Sequence, residues 1–205
     1  MQQLTDNLKQ LNFKPSNFIE IGSRDGHDTN YVRQYWQLEP ANCYIIEAHP
    51  DCYASIKQQY PQYNTLNVAA SNKTEPTIFN AGIVGQESNI GVSSILTRTR
   101  DAFISRPVEV DAWRLQDIMS HFNISSFDFM KIDVEGFGLE VLQGFGEAIK
   151  KTYYIQIELE VEEVWEGQSY YDDVVSYLAD YGFDIIQDVD LGGVQRDVLF
   201  KNKLI

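Results

Sequence analysis

The sequence predicts an α/β protein in which helices cover both faces of a parallel β-sheet. Apolar runs of strand length alternate with segments of helical periodicity, which is the pattern of successive βαβ units. A loop with two glycines follows the first predicted strand, at the place where such sheets bind ligands. The chain has 205 residues, of which 43% are hydrophobic, so we expect one domain over residues 1–205 with a sizeable core.

The first part of the chain predicts three strands, each preceded by a helical segment. Leu4, Leu8 and Leu11 recur at helical spacing, and Pro15 ends that helix. The next two helices are predicted over Thr29–Tyr35 and Asp51–Tyr60. The predicted strands are Phe18–Ile21, Cys43–Glu47 and Thr65–Ala70.

The alternation of strands and helices loosens over about residues 72–110. This segment contains several glycines, serines and arginines, with hairpin-like runs at Thr77–Asn80 and Val108–Val110. Because the alternation resumes afterwards, we interpret the segment as an insertion in the same domain and not as a linker.

The last part of the chain predicts strands, two further helices and a terminal antiparallel hairpin. One helix presents Leu139, Leu142, Phe145 and Ile149 on one face, and Ser169-x-x-Asp172 predicts a capping box for a helix that runs through Ala179. The predicted strands are Phe127–Asp133, Tyr153–Leu159, Phe183–Val189 and Val194–Phe200. The last two strands form the hairpin.

Composition restricts the partners and the compartment. The formal net charge of −14 repels nucleic-acid phosphates and anionic lipid, and it favours a neutral or cationic small molecule. Cys43 and Cys52 form neither a CxxC pair nor a disulfide framework, so we interpret both as reduced thiols. The N-terminal segment lacks the features of a signal peptide, and no apolar run is long enough to span a membrane. We therefore expect a cytoplasmic protein.

The loop after the first strand and the end of the second strand predict a site for an adenosine-containing cofactor. Glu20, Gly22 and Gly26 form an E-x-G-x-x-x-G pattern, whose glycines allow a sharp turn and close approach of a ligand. Glu47 ends the next strand, where a carboxylate is suited to ribose hydroxyls. A dinucleotide would require G-x-G-x-x-G for its pyrophosphate, which an acidic Glu20 would repel. These features favour S-adenosylmethionine over NAD.

The strand predicted over Phe127–Asp133 ends in the most chemically informative segment. Lys131 and Asp133 lie on one face because side chains alternate along a strand, and Glu135 follows on the turn. Two carboxylates and an ammonium are costly to bury together unless they pair or bind something. We predict Lys131, Asp133 and Glu135 as the catalytic group.

The segment Asp128-x-x-Lys131-Ile-Asp133-Val-Glu135-Gly136, followed by Leu139-Glu-Val-Leu142-x-Gly144, closely resembles the signature of the FkbM-type methyltransferases. Further matching pieces are Phe18–Gly22, Ile45–Pro50, Asn67–Ser71, Ser93–Ser94, Ile157–Glu158 and Asp197–Phe200. The resemblance implies a class I methyltransferase Rossmann-like fold, in which a seven-stranded, mostly parallel sheet contains one antiparallel strand. It also implies O-methylation with S-adenosylmethionine, often of a sugar or polyketide hydroxyl.

The same resemblance implies which residues contact the cofactor. Glu20, Gly22 and Gly26 would contact the methionine end, Glu47 the ribose, and the end of the Asn67–Ser71 segment the adenine side. The predicted cofactor-binding set is Glu20, Gly22, Ser23, Gly26, Glu47, Ala48, Ala70, Ser71 and Asp133.

Methyl transfer to an alcohol requires a group that accepts the hydroxyl proton. We predict Asp133 or Glu135 as this base, with Lys131 ordering the carboxylates, and His27 is the alternative base. In an alternative mechanism, a magnesium ion bound between Asp133 and Glu158 would bind the acceptor oxygen. We interpret the acidic segment that begins at Glu158 as solvated surface and predict no resident metal.

The sequence hypothesis is an S-adenosylmethionine-dependent O-methyltransferase acting on a carbohydrate hydroxyl. The alternatives are an NAD(P)-dependent oxidoreductase and a catalytically silent nucleoside-binding module of a glycan-building protein. We expect residues 82–107 to cover the acceptor pocket. Candidate acceptor contacts are Ser93, Ser94, Arg98 and Trp113, with Trp165 and the Tyr170–Tyr171 pair as a candidate stacking wall.

Overall fold

The computed structural model describes residues 2–83, 90–100 and 104–205. The helices in these ranges are α1 (Gln2–Gln10), α2 (His27–Trp36), α3 (Pro50–Gln59), α4 (Leu115–Phe122), α5 (Gly138–Gln143) and α6 (Tyr171–Asp180). The strands are β1 (Phe18–Ile21), β2 (Cys43–Ile46), β3 (Asn64–Leu66), β4 (Ala69–Ser71), β5 (Glu75–Gly82), β6 (Ser105–Arg114), β7 (Phe129–Ile132), β8 (Tyr154–Glu160), β9 (Phe183–Asp190) and β10 (Gln195–Asn202).

Seven strands form the main sheet in the order β3-β2-β1-β7-β8-β10-β9. Neighbouring strands from β3 to β8 pair in parallel, whereas β10 pairs antiparallel with both β8 and β9. The predicted fold class is therefore confirmed: the sheet is mostly parallel and ends in an antiparallel hairpin. The strand order reverses beside β1, and the carboxyl ends of β1 and β7 lie next to each other at this switch point.

Helices pack on both faces of the sheet. Successive side chains along a strand point to opposite faces, and most of them are apolar on both faces. On one face, Phe18 and Ile45 pack with the buried residues of α1, α2 and α3. On the other face, Ile19 and Ile46 pack with those of α4, α5 and α6. Each face of the sheet thus carries its own hydrophobic cluster, and the carboxyl ends of the parallel strands lie between the two layers of helices.

The strand predicted over Thr65–Ala70 is wrong in one respect, because the chain divides it between two sheets. Strand β3 extends the main sheet beside β2, whereas β4 joins a second sheet of order β4-β6-β5. Asn67 lies at the break, where its side-chain amide donates hydrogen bonds to the carbonyls of Glu47 (2.7 Å) and Ala48 (3.1 Å). This tertiary contact turns the chain out of the main sheet.

Two features of the predicted helices require correction. The helix predicted through Ile149 ends as α5 at Gln143 and is followed by a 3-10 segment, Gly146–Lys151. Helix α4 was not predicted, although Leu115, Ile118 and Met119 give it a buried face.

The predicted capping box of α6 is shifted by one residue. The carboxylate of Asp173, not Asp172, accepts a hydrogen bond from the N–H of Tyr170 (2.9 Å). The hydroxyl of Ser169 lies instead within 3.4–3.5 Å of the carboxylate of Glu140. The helix therefore begins at Tyr171.

The predicted insertion contains the antiparallel pair β5–β6, in which Thr77 pairs with Val110 and Phe79 with Val108. The hairpin-like runs predicted there are confirmed. Residues 84–89 and 101–103 of the insertion lie outside the described residues. Within the described part of the chain, no helix combines the length and apolarity needed to cross a bilayer.

Candidate active site

A cavity of about 490 Å³ opens at the carboxyl ends of β1, β2 and β7. Most of the residues predicted for cofactor binding and catalysis lie on its wall. These are Gly22, Ser23, Glu47, Ala48, Ala70, Lys131, Asp133 and Glu135. The predicted residues absent from the described lining are Glu20, Gly26 and Ser71.

Gly22 begins the loop after β1 and is held between the two neighbouring strands. Its N–H donates a hydrogen bond to the carbonyl of Ile46 (3.0 Å), and its φ is +79°. A Cβ atom at this position would lie 1.8 Å from the carbonyl oxygen of Asp133. The glycine is therefore required by the close approach of the chain that leaves β7, a reason that the sequence pattern did not reveal.

Glu47 closes the cavity at the end of β2 and is 5% exposed. Its two carboxylate oxygens accept hydrogen bonds from the N–H groups of Arg24 (2.7 Å) and His49 (2.6 Å). Burial raises the pKa of Glu47, and these hydrogen bonds oppose the rise. The carboxylate is thus fixed in orientation at the end of β2.

Glu20 lies beneath the cavity and not on its wall. It is 1% exposed, and its carboxylate accepts hydrogen bonds from the N–H (3.0 Å) and hydroxyl of Thr29 near the start of α2. Gly26 is similarly structural: a Cβ there would lie 2.9 Å from the ring of Tyr60. Ser71 belongs to β4, where its hydroxyl accepts a hydrogen bond from Lys73 (3.3 Å). These three residues are not among the described residues that line the cavity, and their contact with a cofactor stays a prediction.

Lys131 links three carboxylates at the base of the cavity. Its ammonium lies 2.8 Å from Asp28, 3.2 Å from Asp133 and 3.8 Å from Glu20. Burial would lower the pKa of Lys131, but the carboxylates of Asp133, Glu20 and Asp28 outweigh burial and raise it well above its ordinary value. The lysine is therefore a permanent cation within this group.

Sequence reasoning missed Asp28, which lines the cavity beside Lys131. Burial alone would raise the pKa of Asp28, but the Lys131 ammonium holds it below its ordinary value. Its position in the first turn of α2 was the available signal, because that helix starts at the cavity and carboxylates are favoured at helix N-termini.

Glu135 extends from the loop after β7, where its backbone adopts a φ of +46°. The residue lines the cavity, and its Oε2 atom is buried with no hydrogen-bond partner among the described residues. Burial, together with the nearby carboxylates of Asp133 and Glu158, raises the pKa of Glu135 to about 9. This carboxyl group therefore binds a proton more strongly than an ordinary glutamate.

Glu158 stands beside Glu135 at the end of β8. Its Oε1 atom accepts a hydrogen bond from the side chain of Gln195 on β10 (2.6 Å), and burial raises its pKa to about 8. Asp133, Glu135 and Glu158 each offer one carboxylate oxygen, and these atoms lie within 4.8 Å of one another. The arrangement can share a proton, or it can surround a positive charge.

The predicted acceptor contacts fall into two groups. Ser93 lines the cavity, and Gly91, Val92 and Ile95 of the insertion line it as well. By contrast, Ser94 is 1% and Trp165 is 0% exposed. Trp165 therefore cannot form a stacking wall, because Arg98 covers its ring at 5.2 Å. Neither Trp113 nor the Tyr170–Tyr171 pair is among the described residues that line the cavity.

A family model described as "Methyltransferase FkbM domain" matches residues 20–185. Of the described residues that line the cavity, all but Gln195 lie in this range. The chain belongs to the FkbM family of S-adenosylmethionine-dependent methyltransferases. The predicted family is thus confirmed, and with it S-adenosylmethionine as the cofactor. The match favours methyl transfer over the alternative of an NAD(P)-dependent oxidoreductase.

Relatives of this FkbM chain include a protein named "2-O-methyltransferase NoeI" from Sinorhizobium fredii (strain NBRC 101917 / NGR234). It is 25% identical over 196 residues, which cover 90% of this chain and 78% of the relative. This similarity accompanies the family match and extends over most of both proteins.

Solved structures share the fold. An FkbM methyltransferase from Methylobacillus flagellatus has a TM-score of 0.61 at 13% identity over 94% of this chain, which spans only 45% of that protein. Magnesium protoporphyrin IX methyltransferase from Synechocystis, with bound S-adenosylmethionine, has a TM-score of 0.55 at 9% identity and covers 98% of this chain and 77% of that one. At these identities the likeness concerns the fold.

The cavity of this FkbM chain fits the family's cofactor in size and charge. Its volume of about 490 Å³ is that of a small-molecule site, for which roughly 300–1,000 Å³ is usual. S-adenosylmethionine carries a sulfonium, an ammonium and a carboxylate, and the wall offers the carboxylates of Glu47, Asp28 and Asp133 together with the Lys131 ammonium. Acidic groups at such positions stabilise bound positive charge.

Proposed function

We propose that this chain is an S-adenosylmethionine-dependent O-methyltransferase that acts on a carbohydrate hydroxyl, with Glu135 as the general base. The observation that carries the proposal is the environment of Glu135. Its carboxyl group lines the cavity, has a raised pKa, and has one oxygen without a partner among the described residues. A base for an alcohol needs this combination of access and proton affinity.

In this proposal the cavity wall holds the donor from both ends. Glu47 accepts hydrogen bonds from the ribose hydroxyls, while Ala48 and Ala70 contact the adenine side. Gly22, Ser23 and the Asp28–Lys131–Asp133 group face the methionine end. Glu20 supports this end from below through Thr29 and Lys131. When bound, S-adenosylmethionine supplies a methyl group activated by its sulfonium.

Glu135 is favoured over Asp133 as the base because their partners differ. The Asp133 carboxylate lies 3.2 Å from the Lys131 ammonium, whereas Oε2 of Glu135 has no hydrogen-bond partner among the described residues. In the proposed step the acceptor oxygen forms a bond to the methyl carbon as the sulfur–carbon bond breaks, and its proton passes to the Glu135 carboxylate. Holding these groups in line supplies much of the rate enhancement.

The acceptor is proposed from the relatives and from the charge of the site. One relative is named a 2-O-methyltransferase, which supports an oxygen acceptor, and FkbM-type enzymes often methylate sugar hydroxyls. The Asp133–Glu135–Glu158 wall would repel a phosphate or carboxylate, so a neutral sugar fits best. Residues 1–205 would then act as one methyltransferase domain, in which the insertion, about 72–110, covers the acceptor through Ser93 and Ile95.

A labelled-methyl assay tests this function. Purified protein is incubated with methyl-labelled S-adenosylmethionine and a panel of neutral oligosaccharides, and mass spectrometry locates the label. We expect an O-methyl group on one sugar. Methylation of a nitrogen atom would contradict O-transfer. Binding of S-adenosylhomocysteine without transfer to any acceptor would identify a catalytically silent module instead.

Matched variants test the base. Glu135→Gln keeps the size of the side chain but cannot accept the proton, so kcat should fall by about 10²–10⁴-fold with donor affinity retained. Asp133→Asn should reduce kcat less. Normal turnover in both variants would show that neither Glu135 nor Asp133 is the general base. Assays with a chelator and with added magnesium then separate proton transfer by Glu135 from metal-assisted transfer at Asp133, Glu135 and Glu158.

A further inference from the structure

The loop that carries Glu135 is fastened to the insertion through one buried hydroxyl. The Oγ atom of Ser94 donates a hydrogen bond to the carbonyl oxygen of Glu135 (2.7 Å). The same Oγ accepts a hydrogen bond from the N–H of Leu96 (3.1 Å), so its direction is set. Ser94 is 1% exposed, and it does not belong to the described cavity lining.

The same loop also packs against Trp165. Gly136 has a φ of +82°, and a Cβ atom there would lie 2.6 Å from Cδ1 of the indole ring. Glu135, directly before it, also has a positive φ, which is uncommon for a residue with a side chain. Such a backbone conformation persists when the surrounding structure enforces it, and here Ser94 and Trp165 contact the loop.

Backbone hydrogen bonds connect Ser94, and the segment around Trp165, to other parts of the chain. Asn80 of β5 forms two backbone hydrogen bonds with Ser94 (2.8 and 3.4 Å). The insertion is joined to the chain around Trp165 by two further backbone bonds, from Thr99 to Val164 and from Glu166 to Thr97, each 2.8 Å long. These hydrogen bonds fix the position of Ser94, and the hydrogen bond from its hydroxyl in turn fixes the position of the Glu135 carbonyl group.

We propose that Ser94 is a positioning residue, which holds the Glu135 loop so that the carboxyl group faces the cavity. It acts through Glu135 and not by touching the acceptor, in contrast to its predicted role as an acceptor contact. The inference rests on the proposed function for its catalytic consequence, whereas the coupling of Ser94 to Glu135 can be measured without any acceptor.

The test follows the titration of Glu135 directly. Protein labelled with ¹³C at the glutamate side-chain carboxyl is titrated by NMR, and the spectrum of Glu135→Gln assigns the Glu135 signal. In the unaltered protein we expect an apparent pKa near 9. In Ser94→Ala the loop relaxes and the carboxyl group gains solvent, so its pKa should fall towards that of an ordinary glutamate, about 4.3.

Two further variants make the result specific. Ser120→Ala removes a serine hydroxyl that also donates to a backbone carbonyl, that of Gln116, but on the exposed surface of α4, and it should leave the Glu135 titration unchanged. Ser94→Cys keeps the size of the side chain with a weaker donor and should give an intermediate shift. If Ser94→Ala does not fold, the Glu135 titration in Ser94→Cys alone tests the positioning role of Ser94.

The same Glu135 titration in Ser94→Ala or Ser94→Cys as in the unaltered protein would overturn the positioning role. A shifted titration together with full methyl transfer by Glu135→Gln would leave the positioning role intact and overturn the proposed base. The two outcomes are therefore distinguishable.

Discussion

At the scale of single residues, Gly22 connects the fold to the site. It combines a positive φ with a backbone contact that leaves no space for a side chain. The loops after β1 and β7 can approach each other only because of this residue. Asp133 and Glu47 both line the cavity beside Gly22.

Gly22→Ala should therefore destabilise the protein by about 2–5 kcal/mol, since it adds both a steric clash and backbone strain. Gly167→Ala is a matched control, because Gly167 has a similar φ of +75°, but an added Cβ atom would meet no described atom within 4 Å. It should cost only about 1–2 kcal/mol. Equilibrium urea unfolding measures both values, and equal losses would contradict the steric argument.

The raised pKa of Glu135 predicts how the rate depends on pH. A base works in its deprotonated form, so kcat/KM should rise with pH, reach half of its maximum near pH 9 and level off above that pH. Bound donor brings a positive charge close to Glu135, which lowers its pKa, so the rise in kcat should occur at lower pH. In Glu135→Gln this rise of the rate with pH should be absent. A rate independent of pH between 6 and 9 would refute the assignment of the base.

At the scale of elements, the start of α6 offers a direct comparison of two neighbouring carboxylates. Asp173 accepts the hydrogen bond from Tyr170, whereas Asp172 only adds charge to the first turn. Asp173→Ala should lower the free energy of unfolding by about 0.5–2 kcal/mol. Asp172→Ala should cost about 0.3–1 kcal/mol through the helix dipole. A larger loss for Asp172→Ala would support the capping box predicted from sequence.

Elements that depend on local patterns were predictable. Strand β2 is a continuous apolar run, and β1 is apolar except for Glu20, as expected of strands buried on both faces. The terminal hairpin follows from two apolar runs around Gly192 and Gly193. The division between β3 and β4 was not predictable, because it depends on hydrogen bonds between Asn67 and the distant end of β2. Helix α4 was missed although its apolar periodicity was visible.

The candidate site shows the same division between local and tertiary information. The Lys131, Asp133 and Glu135 cluster follows from the alternation along one strand and the turn after it. The burial of Glu20 beneath the cavity and the contribution of Asp28 follow from the docking of α2 on β1 and β7. The covering of Trp165 by Arg98 likewise depends on an insertion whose packing no local pattern specifies.

At the scale of the whole molecule, buried carboxyl groups make stability depend on pH. Burial raises the pKa of Glu47 and Glu140 above the ordinary value. It raises the pKa of five further carboxyl groups to about 9 for Glu135, 8 for Glu158, 7 for Glu20 and Glu160, and 6 for Asp197. Between about pH 4.5 and 9 the folded chain therefore binds more protons than the unfolded chain. Its stability must fall as pH rises through this range.

We expect the free energy of unfolding, measured by urea titration without ligand, to decrease steadily from pH 5.5 to pH 8.5. Glu158→Gln, which stays neutral and still accepts a hydrogen bond, should flatten this dependence and raise stability at pH 8.5. A stability that increases over the same interval would contradict the environments assigned to these carboxyl groups.

The most direct measurement is a crystal structure with S-adenosylhomocysteine, the demethylated form of the donor. The account predicts ribose hydroxyls within hydrogen-bond distance of Glu47, and a sulfur atom directed towards the space between Asp133 and Glu135. Electron density for the ligand in another part of the molecule, or a sulfur atom directed away from these carboxylates, would contradict it.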